Sequence, residues 1–178
     1  SPPSTDASAY CQARNRLPEA VVRDLYQYAA QQLDAQVETD QLWHGRKVVL
    51  IDGSTVSMPD TIANQLAYPQ HGNQKPGCGF PLARIVGLFS LTTGALTQLQ
   101  ITPFKIAEPK VARQLYSALD PGSILVGDAQ FGSYSDLWML EEQQVDGLFR
   151  PARTRYLPVR NSLRFGKGDW LVPLEKPI

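Results

Sequence analysis

Two short apolar runs, each ending in an aspartate, constrain this chain more than any other feature. Lys47-Val-Val-Leu-Ile51 leads straight into Asp52, and Ser123-Ile-Leu-Val-Gly127 leads straight into Asp128. Neither run alternates polar with apolar residues, which is the pattern of a strand buried on both faces of a sheet containing parallel pairs. Sites in such sheets gather beyond the carboxyl ends of the strands, where loops converge and the sheet holds side chains rigidly. Two carboxylates there on neighbouring strands repel one another unless a cation lies between them. An all-oxygen pair suits Mg2+ or Mn2+, and a pair of such ions can promote phosphodiester cleavage without a histidine base or a protein nucleophile. The plainer alternative is that Asp52 starts a turn with Gly53 and that Asp128 caps the segment after it. Strand position alone does not separate the two.

Composition narrows the field. With 178 residues, 43% hydrophobic and 19% charged, the chain can bury one sizeable core, as a globular domain does and a disordered chain does not. No stretch approaches 18 consecutive apolar residues and no basic then apolar leader stands at the start, so neither a membrane span nor a signal peptide is expected, and the expected location is the cytosol. Cys11 and Cys78 lie far apart without CxxC spacing, and His44 and His71 are the two histidines, a poor basis for a zinc site or a disulfide framework. A formal net charge of zero argues against a wholly basic nucleic-acid binder. Charge is nevertheless uneven. Residues 147–178 hold seven basic side chains (Arg150, Arg153, Arg155, Arg160, Arg164, Lys167 and Lys176) against Asp169 and Glu175, so this stretch is either an ordinary solvated face or a phosphate contact.

Along the chain, Ser4 or Thr5 is placed to cap a short helix from Asp6 to Arg16. Pro18 suits the first turn of an amphipathic helix over Leu17–Asp34, with Val22, Leu25, Ala29 and Leu33 on the inner face. Residues 55–81 contain four prolines and three glycines and read as a long irregular excursion. Arg84–Leu91 and Ala95–Ile101 flank Thr92-Thr-Gly94 as a hairpin. Glu108-Pro109 opens a helix whose Val111, Ala112, Leu115 and Leu119 share a face. Ser133 with Asp136 forms a capping box for a helix reaching about Gln143, and Val145–Phe149 is a further strand. The order is β, β, β, α, β, α, β. Ser1 in place of methionine and the uncapped run Leu171–Ile178 give the expectation of a piece cut from something longer.

The words around the two aspartates are more specific than their positions. They are Val48-Val-Leu-Ile-Asp-Gly-Ser-Thr-Val-Ser-Met-Pro-Asp60, Ala67-Tyr-Pro-Gln70, Gln74-Lys-Pro-Gly-Cys-Gly-Phe-Pro81 and Arg164-Phe-Gly-Lys-Gly-Asp-Trp-Leu-Val172. Together, and with the segment Ser8-Ala-Tyr-Cys-Gln-Ala-Arg14, they resemble DDE-type transposases of the bacterial insertion-sequence family numbered four, over nearly the whole chain. The resemblance implies an α/β fold: an RNase H-like mixed sheet with flanking helices, here incomplete. It also implies a triad of two aspartates and one glutamate, Mg2+ or Mn2+ as cofactor, and metal-dependent cleavage and strand transfer in DNA transposition. Asp52 matches the first aspartate and Asp128 the second, as catalytic residues and metal ligands. The family's glutamate lies in a Tyr-Arg-Glu-Lys signature beyond a β-rich insertion, and this chain has no such signature; Asp169 and Glu175 fall inside the insertion-like stretch. A second departure is Asp128-Ala-Gln-Phe131 where the family commonly shows Asp-Arg-Ala-Phe.

The expected organisation is therefore an N-terminal helical region over 1–43, a partial catalytic core over 44–150, and the start of a β-rich insertion over 151–178. Lys75, Arg84, Arg150, Arg153, Arg155, Arg164 and Lys167 are candidate DNA contacts, and Trp43, Tyr68 and Phe80 are candidates for base stacking or, more simply, packing aromatics. The implied partners are the terminal repeats and target DNA, with a homodimer in the full-length protein. Two other readings remain. One is a non-catalytic remnant that binds DNA or a full-length transposase. The other is a phosphatase with an aspartyl nucleophile at Leu50-Ile-Asp-Gly-Ser54, which lacks the second aspartate two places on.

Overall fold

The computed structural model describes residues 7–151 and 162–173. Its centre is a five-stranded mixed sheet in the order β3-β2-β1-β4-β5. Strands β1 (Val48–Ser57), β2 (Leu82–Ser90) and β3 (Leu96–Pro103) form an antiparallel meander, and β4 (Ile124–Gly127) and β5 (Asp146–Phe149) add parallel to β1. A meander followed by two parallel additions on its first strand is the RNase H-like arrangement expected. The hairpin between β2 and β3 turns at 91–95, where Gly94 takes a φ of +70°, a conformation that glycine adopts without a Cβ penalty.

The described residues form five α-helices: α1 (Ala7–Asn15), α2 (Glu19–Asp34), α3 (Ile62–Ala67), α4 (Glu108–Ala112) and α5 (Tyr134–Glu142). The core lies on one face of the sheet. Ile51, Val86, Leu88 and Leu125 from the strands meet Val111, Ala112, Leu115, Tyr116, Leu119, Phe131, Leu140 and Val145. The four apolar positions expected to share the face of the helix at Glu108 are all buried. The helix is broken, however: α4 ends at Ala112 and a 3-10 turn at Tyr116–Ala118 carries the chain onward. That helix and α5 are joined by a buried polar knot. Asp136 is fully buried, accepts from Arg113 Nε at 2.7 Å and from the Tyr116 hydroxyl at 3.4 Å, and closes the capping box with Ser133.

Three expectations need correction. The strand at Lys47–Ile51 does not stop at Asp52 but continues to Ser57, because β2 pairs with it throughout, from Val49 against Ser90 to Ser57 against Leu82. The excursion over 55–81 is partly regular, with the end of β1 and then α3, which Thr61 caps by accepting from Asn64 N–H. Gln65 and Gln70 organise the rest through bonds to Gly79, Lys75 and Gly77, so side-chain amides supply the order that prolines and glycines deny to the backbone.

The third correction concerns α2. It starts at Glu19 with Pro18 in the capping position, and the expected inner face is not the buried one. Val22, Leu25 and Leu33 are 47%, 67% and 45% exposed, while Ala30 is buried. The helix lies against β3, whose Gln98 and Gln100 stand opposite Leu88 and Val86 on the core face of the sheet, and Gln27 Nε2 donates to Gln98 Oε1 at 3.2 Å. A polar strand surface selects a polar helix face, and the apolar stripe is left outward. Ser4, Thr5 and Asp6, expected to open the first helix, lie outside the described residues. Beyond β5, β6 (Leu163–Gly166) and β7 (Asp169–Leu171) form a separate antiparallel pair.

Replacing Asp136 with alanine strands Arg113 and removes a helix cap. We expect a loss of about 3 kcal/mol, the low end for breaking a buried pair because Arg113 keeps some hydration, read as a lowered urea midpoint at unchanged slope. Burial, reinforced by Asp136, raises the Tyr116 phenol above the usual phenol value. A group raised on folding stabilises fully below its unfolded value and loses that contribution above it. Stability should fall as pH rises past about 10, and Tyr116→Phe should flatten that alkaline slope in pH-resolved urea titrations.

Candidate metal and catalytic site

The parallel ladder between β1 and β4 pairs Val48 with Ile124, Val49 with Leu125 and Leu50 with Val126. Continuing that register by two residues brings Asp52 level with Asp128. One carboxylate stands inside β1 and the other on the first residue after β4, where the two chains begin to part. Adjoining strands run about 4.8 Å apart, so a cation between the two chains is within reach of both side chains. Both aspartates are exposed, and neither forms an ion pair among the described residues.

Each carboxylate is oriented by backbone. Gly53 N–H donates to Asp52 Oδ1 at 2.8 Å, and Gln130 N–H donates to Asp128 Oδ1 at 2.8 Å. The second bond makes a tight turn after β4, as the plainer alternative expected of Asp128. The corresponding turn at Asp52 is absent, since Gly53 and Ser54 continue the strand. Phe131, fully buried below the turn, anchors it to the core. Gly127 permits this packing, for a Cβ there would stand 2.7 Å from Ile51 Cγ2.

The donor set fits a hard divalent cation in part. Mg2+ is commonly held by one or two carboxylates with water completing its shell, and two exposed, unpaired carboxylates at one level meet that minimum. Among the described residues no group of three or more His, Cys, Asp and Glu is gathered, so a third protein ligand is not supplied here.

The other candidates scatter. Lys75 is exposed on the excursion, and its carbonyl accepts from Gln70. Arg150 is exposed just after β5, and Lys167 is exposed at the turn of the β6–β7 hairpin. Arg164 lies over the Trp170 ring at 5.2 Å and donates to the Gly166 carbonyl. Arg153 and Arg155 lie outside the described residues. Arg84 differs from all of these: its side chain is 15% exposed, its Nη1 is paired with Glu108 Oε2 at 2.6 Å, and its guanidinium covers Phe104 at 4.8 Å. It is committed to an internal pair rather than presented to solvent. Trp43 and Phe80 are 58% and 64% exposed, whereas Tyr68 is half-buried beside α2 and β3. Sequence reasoning did not single out Glu108 and Gly53 at this site. Glu108 reads there as an ordinary helix-opening acid, and its partner Arg84 stands 24 residues away, so no local spacing signals the pair.

Comparison with known proteins identifies the family. Residues 43–174 match the family described as Transposase DDE domain. A protein of Escherichia coli (strain K12) that bears the name "Putative transposase InsZ" is 28% identical over 137 residues, covering 76% of this chain and 46% of that protein. The chain thus spans about half the length of the curated relative it matches. A solved structure titled "Mos1 transposase paired-end complex with left transposon end" overlaps 78% of this chain and 45% of its own, at 9% identity and a TM-score of 0.39; the fold assignment rests on strand order instead. The family match spans about three quarters of the chain, including Asp52 and Asp128, and the chain belongs to the Transposase DDE domain family.

Proposed function

We propose that this chain is the central catalytic portion of a DNA transposase of the insertion-sequence family numbered four, in which Asp52 and Asp128 are catalytic metal ligands. The observation that carries the reading is the common register level of the two carboxylates on adjoining parallel strands. A bound Mg2+ or Mn2+ would supply Lewis acidity for attack on a phosphodiester and for departure of the leaving oxygen. Asp52, held by Gly53 N–H, and Asp128, held by Gln130 N–H, would fix the position of that charge relative to the sheet. Lys75, Arg150, Arg164 and Lys167, with Arg153 and Arg155, are the candidate DNA-backbone contacts. Element ends and target DNA are the proposed substrates, and a dimer that pairs two ends is the proposed full-length assembly.

The third acidic ligand is proposed to come from the part of the longer protein that this chain does not span, which makes the isolated chain a metal binder without nicking activity. The second reading is a non-catalytic DNA-binding remnant. It draws on the two-carboxylate site and on Ala129, which stands where the family commonly has arginine. The organisation into a helical region over 1–43, a partial core over 44–150 and an insertion over 151–178 is part of the same proposal. So is a cytosolic location; among the described residues no helix is long and apolar enough to cross a membrane.

Calorimetric titration of the chain with Mn2+ tests the assignment. Asp52→Ala and Asp128→Ala should each weaken binding by about tenfold or more, as loss of a ligand demands if milder losses around a site already cost that much. Unchanged binding in both variants would sink the paired-aspartate site. A parallel assay on labelled DNA should show no nicking by this chain; metal-dependent nicking would reject both the remnant and the need for a third ligand from outside the chain.

A further inference from the structure

Asp52 occupies a mechanically weak place. The ladder to β4 stops at Leu50, so from Ile51 onward β1 is paired on one side, to β2. The residue after Asp52 is glycine, the most permissive residue for backbone motion, and its N–H is the donor that orients the Asp52 carboxylate. Successive side chains in a strand point to opposite faces. The face of Gly53 away from Asp52 is the core face, shared with Ile51, Val86 and Arg84. There the missing side chain is replaced by another residue. The Glu108 carboxylate lies directly over Gly53, so close that a Cβ would overlap Oε1 and stand 2.6 Å from Cδ.

Glu108 is held in turn. Arg84, on β2 opposite Thr55, binds its Oε2 at 2.6 Å; both side chains are 15% exposed, and Arg84 Nη2 also reaches the Phe104 carbonyl. Arg84 Nε and Thr102 Oγ1, which face each other across β2 and β3, are buried without a hydrogen-bond partner. The guanidinium is therefore largely withdrawn from solvent beside its carboxylate. A pair with that little water responds strongly to loss of one partner.

We propose that the Arg84–Glu108 ion pair is a positioning device for the metal-binding carboxylate of Asp52, acting through Gly53. Glu108 fills the side-chain space of Gly53, fixes the peptide after Asp52 against the sheet, and so fixes the N–H that aims Oδ1. This role rests on the proposed assignment of Asp52 as a metal ligand. It also accounts for glycine after the aspartate: any side chain at position 53 would evict the carboxylate. Arg84 then acts inside the fold rather than on a phosphate.

The test is a double-mutant cycle on the full chain, read by amide hydrogen exchange at Gly53 and by Mn2+-induced broadening of the Asp52, Gly53 and Asp128 signals in NMR spectra. Glu108→Ala removes the carboxylate, and Gly53→Ala displaces it without altering charge. Each should speed exchange at residue 53 and weaken Mn2+ binding by about ten- to a hundredfold, the usual loss when a group supporting a metal ligand is removed. With Glu108 gone the added methyl has nothing to evict, so the double variant should be no worse than Glu108→Ala alone. Glu108→Gln, which keeps the shape, should retain much of the exchange protection, and Lys110→Ala on the same helix should match wild type. Wild-type exchange at residue 53 and wild-type Mn2+ affinity in a folded Glu108→Ala chain would overturn the positioning role while leaving Asp52 a ligand. Mn2+ binding that survives Asp52→Ala would overturn the site assignment, and the positioning role with it.

Discussion

Three parallel residue pairs, Val48 with Ile124, Val49 with Leu125 and Leu50 with Val126, hold the rest of the arrangement in place. They join the antiparallel meander to the parallel half of the sheet. They fix the relative level of the two aspartates, and they complete the sheet face on which the buried side chains pack. A slip of one residue would turn every following side chain to the other face. Asp52 would then point into the core and Gly53 into solvent. The apolar lock of Val49, Ile51 and Leu125 against the helices forbids that slip, so the hydrophobic pattern of the core and the placement of the site are one constraint.

Much of this could be read in advance, and the reasons are local. The strands at Val48 and Ile124, the β2–β3 hairpin, the Ser133–Asp136 capping box and the shared face of Val111, Ala112, Leu115 and Leu119 are encoded in short spans with a clear period or cap. The two aspartates stood out because each directly follows an apolar run, and the metal role proposed for them rests on the family resemblance, since position alone left it open. What failed depended on partners distant in sequence. β1 runs on to Ser57 because β2 is there to pair with it, and α2 turns its apolar stripe outward because β3 offers it glutamines. Inside the Gly/Pro-rich excursion, the segment after α3 is ordered by Gln65 and Gln70, whose side-chain bonds to backbone have no signature in composition.

Arginine gives the sharpest lesson in the site. Arg84 and Arg164 look alike in sequence, each flanked on both sides by apolar residues. One is buried against a carboxylate and the other lies exposed over an indole ring. Charge counting treats them equally, but the desolvated one has both Nη groups bonded inside the protein. A basic residue in a chain of this family is informative about DNA only after its internal partners are known.

The separation of the two aspartates, 76 positions along the chain, bears on how the molecule is made. The meander of β1, β2 and β3 closes through neighbouring segments, whereas joining β4 to β1 must first close a loop containing the whole of β2, β3 and α4. Contacts between residues so distant form slowly, because the entropy of closing the loop precedes any reward. The two carboxylates therefore meet only when the slowest contact of the sheet is made. Until then a nascent chain carries Asp52 on a finished hairpin with no counterpart beside it, and the paired site comes into being together with the native topology, not before.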